Sequence, residues 1–266
     1  MELTDKICAD EIIPLLPADC SIGRRIICLA KIPSTQLMAK DIAKSSLEGT
    51  VILSEEQTAG MGRFERTWHS ASGGLWFSII FKPRCIPSNI SQIPLIFAIA
   101  ICRVIEKDCA KKALIKWPND VFVDGKKVAG IVADMSADVG RVNWVAVGIG
   151  LNVNNKLPAE LDSAASLSTL CNIHYNRATL LADIFIEIDA VYKKFINGGF
   201  AAFLQEFSNR SLLIGKTIAA NSSGAIVRGT AKGFNTDGAL LIDSQGKIET
   251  LLAADVTIDK DGSRQA

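Results

Sequence analysis

Basic residues and glycines mark four motifs along this chain, and together they could hold an anion while a phosphoryl or adenylyl group moves. The first is Gln57-Thr58-Ala59-Gly60-Met61-Gly62-Arg63-Phe64-Glu65-Arg66-Thr67-Trp68. Glycine lets backbone come close to a ligand, and the arginine guanidinium offers a planar fork of donors to phosphate or carboxylate. Such a loop alone is weak evidence, because Gly–Arg turns are common on surfaces. Three more motifs follow it: Lys116-Trp117-Pro118-Asn119-Asp120, then Lys126-Lys127-Val128-Ala129-Gly130-Ile131, then Gly148-Ile149-Gly150-Leu151-Asn152-Val153. Packing requirements do not readily produce four such motifs in one order. Arg63, Lys116 and Lys127 could neutralise a triphosphate and the charge that develops during transfer, in a reaction that needs positioning and electrostatics rather than a protein nucleophile.

Other chemistries find less support. Gly60 and Gly62 have no third glycine to complete a dinucleotide fingerprint, since position 65 is Glu, and there is no Walker-type loop. His69 and His174 are the only histidines, too few for a His-rich metal cluster, and each reads as a surface or packing residue. Nothing in the spacing supports a Ser-His-Asp triad. In the second motif Pro118 fixes its own φ and restricts Trp117, so the pair sets a rigid corner. Asn119 and Asp120 then cap neighbouring backbone groups. A plain turn role for Asp120 is as good a reading as a catalytic one.

The elements that must carry these residues can be traced in the hydropathy. Ser34 or Thr35 can cap a helix continued by Leu37, Met38 and Ile42. Thr50 to Ser54 reads as a buried strand entering the Gly–Arg loop, and Gly74 to Phe81 as the strand leaving it. Ile93 to Ile105 is apolar all round, a core helix. Val121 to Val123 and Val128 to Met135 flank Asp124-Gly125, the signal of a tight hairpin. Val142 to Gly150 supplies another strand after a turn at Val139-Gly140-Arg141. Leu180, Leu181, Ile184, Phe185, Ile188, Val191, Tyr192 and Phe195 mark one face of a long helix. Residues 1 to about 31, broken by Pro14, Pro17 and Gly23, read as an N-terminal extension. From about residue 213, short strands split by Ser223-Gly224, Asp237-Gly238 and Gln245-Gly246 predict a separate small β-barrel. The fold class is α/β (α+β): a mixed sheet covered by helices over residues 1–212, then the barrel over 213–266.

Bulk properties bound the rest. The 266 residues are 48% hydrophobic and 21% charged with a net charge of +1, so a substantial core can form and no global field draws the chain to nucleic acid or a membrane. Acidic Glu2, Asp5, Asp10 and Glu11 argue against a signal peptide. The longest uncharged apolar run, Ile93 to Cys102, is far short of the roughly 18 residues of a membrane span. Seven scattered cysteines with no Cys-x-x-Cys pair read as reduced, buried thiols of a cytoplasmic protein.

From about residue 31 to 258 the set resembles the biotin protein ligase family, in the form without an N-terminal DNA-binding domain. Lys116 to Asp120 is its most specific string. The resemblance implies a class II synthetase-like catalytic domain, an SH3-like C-terminal barrel, and use of ATP and Mg2+ to make biotinyl-5'-adenylate. Biotin would then pass to a lysine of a biotin carboxyl carrier protein. It implies that Ser34, Thr35 and Gln36 hold the ureido ring, and that Gln57, Met61, Gly62, Arg63, Lys127 and Gly130 complete the biotin site. Gly60, Arg63, Arg66, Trp68, Lys116, Asn119, Asp120, Asn152 and Ser166 would hold ATP and the adenylate. Ser34 and Thr35 have helix capping as an alternative role.

The chain departs from the family pattern at Met61, where Arg is usual, and at Glu65, where a small or neutral residue is usual. Fewer guanidinium groups should leave the loop less firmly ordered over an adenylate. A lipoate-type ligase and a biotin-binding regulatory protein with weak or no ligase activity are the rivals. The chain lacks the length and basic residues expected of a DNA-binding module, and the family includes dimers.

Overall fold

The computed structural model describes residue 5 and residues 7–83, 87–222 and 224–259, the side chain of Glu65 excepted; Cys85 and Ser223 fall outside this set. In chain order the elements are α1 (Ala9–Ile12), β1 (Ile26–Ile32), α2 (Thr35–Ile42), β2 (Val51–Gln57), β3 (Leu75–Phe81) and α3 (Ile93–Asp108). Four strands follow: β4 (Ala113–Lys116), β5 (Asp120–Val123), β6 (Lys126–Asp138) and β7 (Arg141–Leu151). Helices α4 (Leu167–Cys171), α5 (Arg177–Gly198) and α6 (Leu204–Asn209) lead to β8 (Thr217–Ser222), β9 (Ala225–Phe234), β10 (Leu240–Ser244), β11 (Lys247–Leu251) and β12 (Asp255–Ile258).

The first seven strands form one sheet in the order β1-β2-β3-β7-β6-β5-β4. Only β1 and β2 run parallel among the named pairs, so the sheet is mixed as expected. The last five form an antiparallel sheet, β11-β10-β9-β8-β12, which fits the expected SH3-like unit. The β5–β6 hairpin turns at Asp124 and Gly125 with φ of 50° and 74°. Both central residues of a type I′ turn need positive φ, which Asp tolerates and Gly supplies freely.

Strand alternation gives the large sheet two unlike faces. Phe77, Ile79 and Phe81 of β3 and Val145, Val147, Ile149 and Leu151 of β7 are buried in the main core with α3 and α5. The opposite face carries small residues: Ser78 of β3, Ala146, Gly148 and Gly150 of β7, and Gly130 of β6. There α2 packs Ala39 and Ala43 on Ile52, Ile80 and Ala146. Large side chains thus fill one face, and room is left on the other where Ser78, Gly130, Gly148 and Gly150 lie together. The stretch Pro87–Asp108 is long and apolar enough to cross a membrane by composition, but 72% of its most apolar window is buried within the protein. It is the core helix, packed on α5 and the sheet.

Two expectations need correction. The N-terminal segment is not an appendage: β1 is the edge strand of the main sheet, and Ile7, Ile12, Leu16, Cys20 and Ile22 are core residues. An edge strand with one bonded side carries a blurred alternation, here Ile-Ile-Cys-Leu-Ala-Lys-Ile, which hid it. The cysteines are not uniformly reduced and buried, because Cys109 and Cys171 form a disulfide across a sequence separation of 62, and Cys28 is exposed. The bond joins the C-terminal cap of α3 to the end of α4, a pairing set by packing and invisible in Cys spacing. Closing a loop of this length restrains the unfolded chain by about 2–4 kcal/mol. Under non-reducing conditions Cys109→Ser and Cys171→Ser should therefore each lower stability by that amount. The double variant should lose no more than either single one in denaturant melts.

Candidate functional site

The small-residue face opens into a cavity of about 360 Å3 roofed by α2 and the 57–70 loop. One end is neutral and polar. Ser34 caps α2, its Oγ accepting from the Leu37 N–H at 3.4 Å. Gln57 Oε1 accepts from the Thr35 N–H at 2.8 Å and from Thr35 Oγ1 at 3.1 Å, while its Nε2 donates to Ser70 Oγ at 2.8 Å. Thr35 Oγ1 also lies 3.0 Å from Ser78 Oγ on β3. The capping role of Ser34 is therefore real and uses only its acceptor; its hydroxyl proton is left for another partner.

The middle is shaped by missing side chains. Gly130 and Gly150 are cross-strand partners, and the Trp68 indole lies over both. A β-carbon added at Gly150 would stand 2.4 Å from Trp68 Nε1. Trp68 packs edge-on against Trp76 with ring centroids 6.5 Å apart. Its Nε1–H is buried and has no partner in the protein, an open donor beside the cavity. Gly148 leaves similar room for the Gln36 amide.

The other end is cationic. Arg63, Arg66, Lys116 and Lys127 line the cavity against the carboxylates of Asp120 and Asp255, an excess of two positive charges. Lys127 Nζ pairs with Asp120 Oδ1 at 2.8 Å and sits 5.1 Å over the Trp68 ring. Arg63 donates to Asn119 Oδ1 at 3.3 Å and to the Ala254 carbonyl at 3.4 Å. Arg66 is paired with Asp255; that hydrogen bond holds the Asp255 carboxyl below its usual range and raises Arg66. Lys116 has no ion-pair partner among the described residues. Burial pulls its pKa below the ordinary lysine value, Asp120 and Asp255 oppose that, and Lys127 and Arg66 add to it. Burial also lowers Arg63.

The turn that presents Lys116, Asn119 and Asp120 joins β4 to β5, with Lys116 and Asp120 paired across it. It contains a cis Trp117–Pro118 bond. Trp117 Nε1 donates to the Gly238 carbonyl at 2.9 Å, and Asn119 Nδ2 to the Ile131 carbonyl at 3.0 Å, so the second sheet and β6 both hold it. Segment 157–164 forms a side wall with Leu157, Leu161, Ser163 and Ala164. Its backbone is bonded to Lys127, whose N–H donates to Ser163 O at 2.9 Å.

Of the residues singled out from sequence, Ser34, Thr35, Gln36, Gln57, Met61, Gly62, Arg63, Arg66, Trp68, Lys116, Asn119, Asp120, Lys127, Gly130 and Asn152 all line this one cavity. Gly60 and Ser166 do not. Gly60 is packed under the loop, where a β-carbon would meet Trp68 O and Ser70 Oγ at 2.6 Å. The Ser166 hydroxyl turns to Thr169 Oγ1 at 2.9 Å. His69, read as a packing or surface residue, stands at the cavity edge. Sequence reading missed Ala254, Asp255 and Val256, which the second sheet brings in, and the 157–164 wall, whose only nearby signal was Ala165-Ser166-Leu167. Met61 is half exposed at the cavity, and the Glu65 side chain lies outside the described residues.

A mixed sheet with a loop-covered cavity on its open face, backed by an SH3-like unit, is the architecture of an adenylate-forming carboxylate ligase. The pattern of the Biotin/lipoate A/B protein ligase family matches residues 27–154. The bifunctional ligase/repressor BirA of Bacillus spizizenii is 34% identical over 243 residues, covering 89% of this chain and 75% of the relative. The biotin–[acetyl-CoA-carboxylase] ligase of Paracoccus denitrificans is 29% identical over 238 residues, covering 86% and 98%. The biotin protein ligase of Aquifex aeolicus, solved in complex with biotin and ATP, superposes with a TM-score of 0.79 at 26% identity, covering 89% of this chain and all of that one. The chain belongs to the Biotin/lipoate A/B protein ligase family, among its biotin protein ligases.

Because Trp68 rests where Gly150 has no side chain, Gly150→Ala should displace the indole and loosen the loop. Trypsin should then cut faster after Arg63 and Arg66, while the melting temperature falls by only a few degrees. Equal cleavage rates in wild type and variant would remove the shelf from the account of the site.

Proposed function

We infer that the protein activates biotin with MgATP to biotinyl-5'-adenylate and transfers it to a lysine of a biotin carboxyl carrier domain. The observation that carries this is the polarity gradient of one cavity, neutral donors and acceptors at Ser34, Thr35 and Gln57, and cations at Arg63, Lys116 and Lys127. A uncharged ring with a carboxylate tail matches that gradient end for end. The tail belongs at Lys127, whose ammonium Asp120 already fixes in place. Arg63, bound to Asn119 and Ala254, is placed to bridge the carboxylate and the α-phosphate, and Lys116 to meet the phosphate tail.

In the first step a biotin carboxylate oxygen attacks the α-phosphorus and pyrophosphate leaves. The cations stabilise the charge that builds on the phosphate oxygens, and the half-buried setting strengthens each contact. In the second step a carrier amine attacks the acyl carbon and AMP leaves with the bonding electrons. Mg2+ would enter on the ATP phosphates, since it keeps several waters and needs few protein ligands. The carrier is a biotin carboxyl carrier protein or a biotin-dependent carboxylase subunit, and the site of action is the cytoplasm. The Cys109–Cys171 bond is the one feature discordant with that compartment.

The decisive test compares biotin with lipoate. Pyrophosphate exchange should depend on biotin, and labelled biotin should pass to a carrier domain in the presence of MgATP. Exchange with lipoate alone would overturn the assignment.

Lys116 also gives the reaction a pH dependence. Its pKa is lowered in the ligand-free protein, and polyphosphate would raise it again. Between those two values ATP binding must take up a proton, so ATP affinity should weaken as pH rises through the alkaline range below the normal lysine pKa. Calorimetry in buffers of different ionisation heat should show that uptake for wild type and lose it in Lys116→Arg, whose guanidinium stays charged. A pH-independent ATP affinity in wild type would place Lys116 away from the phosphates.

A further inference from the structure

Gln36 is 6% exposed and lies at the cavity's neutral end, where its amide is oriented by groups remote in sequence. Its Nε2 donates to Asp134 Oδ2 at 2.8 Å and to the Ala146 carbonyl at 2.9 Å, so both amide hydrogens are used. Its Oε1 is buried and accepts nothing within the protein. That oxygen sits against Gly148, where a β-carbon would come within 2.7 Å, and both Gly148 and Gln36 line the cavity. Asp134 is two residues beyond Val132 and four beyond Gly130 on β6, hence on the same strand face, and is paired with Ala146 across the ladder. Its other oxygen takes Lys40 Nζ of α2 at 3.4 Å.

We propose that Asp134 is a positioning residue for ring recognition: its carboxylate locks the Gln36 amide so that the carbonyl oxygen, not the NH2, is offered to the ligand. This rests on biotin being the substrate. An amide can present either end, and the two ends have opposite hydrogen-bonding character. Two acceptors on Nε2 leave only Oε1 for the ligand, and the charged one polarises the amide and strengthens that oxygen as an acceptor. A cyclic urea brings N–H donors to meet it. A dithiolane ring brings none and would leave Oε1 buried and unpaired, a penalty that favours the urea. Asp134 thus acts on ring choice without touching the ring, through a contact spanning 98 residues.

The test measures binding by calorimetry and initial rates with biotin and lipoate. Asp134→Ala should raise the biotin Kd and KM about tenfold, the lower end for losing a charge-assisted hydrogen bond because Ala146 still accepts. The kcat, the ATP KM and the lipoate affinity should stay within about twofold. Asp134→Asn keeps an acceptor oxygen and should restore biotin binding. In a Gln36→Leu background, Asp134→Ala should add nothing. Additive losses in that background, or equal losses for both ligands, would reduce Asp134 to a tie between α2 and the sheet and overturn the proposal. An unchanged biotin Kd in a folded Asp134→Ala protein would overturn it as well. Absence of biotin binding in wild type would instead strike the functional assignment.

Discussion

The site depends on a steric condition: one face of the central sheet carries almost no side chains where β6 and β7 cross beneath the loop. Gly130, Gly148 and Gly150 remove the β-carbons that would stand within about 3 Å of Trp68 and Gln36. The opposite face of the same strands is Val, Ile, Leu and Phe, buried against α3 and α5. Alternation along a strand makes both outcomes possible in one stretch of chain. A close-packed interior tolerates a void only where something can occupy it. Here the occupants are an indole and an amide belonging to the protein, beside the open cavity.

Charge is arranged under a second constraint. Four cations converge on a half-buried cleft in a chain whose net charge is only +1. Like charges in such a setting repel, and the protein offsets this with Asp120 on Lys127 and Asp255 on Arg66. Lys116 is left without an ion-pair partner among the described residues, and burial, with smaller contributions from Lys127 and Arg66, lowers its pKa. A cleft with such an excess of positive charge is electrostatically suited to a polyanion. The second sheet takes part in this arrangement: Asp255 and the Ala254 carbonyl meet Arg66 and Arg63, and Gly238 anchors Trp117. The small C-terminal unit therefore contributes to both the loop and the 116–120 turn.

The departure at Met61 is easier to interpret in this setting. The loop closes on itself through the Gly62 N–H to Arg66 O bond at 2.7 Å and the Met61–Thr67 bridge. Its shape is thus carried by backbone bonds and by the Trp68 shelf. The backbone bonds that shape the loop do not depend on the side chain at position 61, and Arg63 and Arg66 both reach the second sheet or the 116–120 turn.

Much of the molecule was legible in its residues alone. The α2 cap, the core helix, the Asp124-Gly125 hairpin, the alternating strands and the turn-punctuated C-terminal sheet all follow from local propensity and period, which act over a few residues. The four motifs of basic residues and glycines belong to the same category, and fifteen of the seventeen residues drawn from them, from Ser34–Gln36 and from Ser166 came together in one cavity. Tertiary structure alone decided the rest. That β1 joins the main sheet, that Cys109 meets Cys171, that Asp134 orients Gln36 and that Asp255 reaches Arg66 are contacts between segments far apart in sequence. Such contacts arise from how faces pack, and packing partners leave no spacing in the chain from which they could be read.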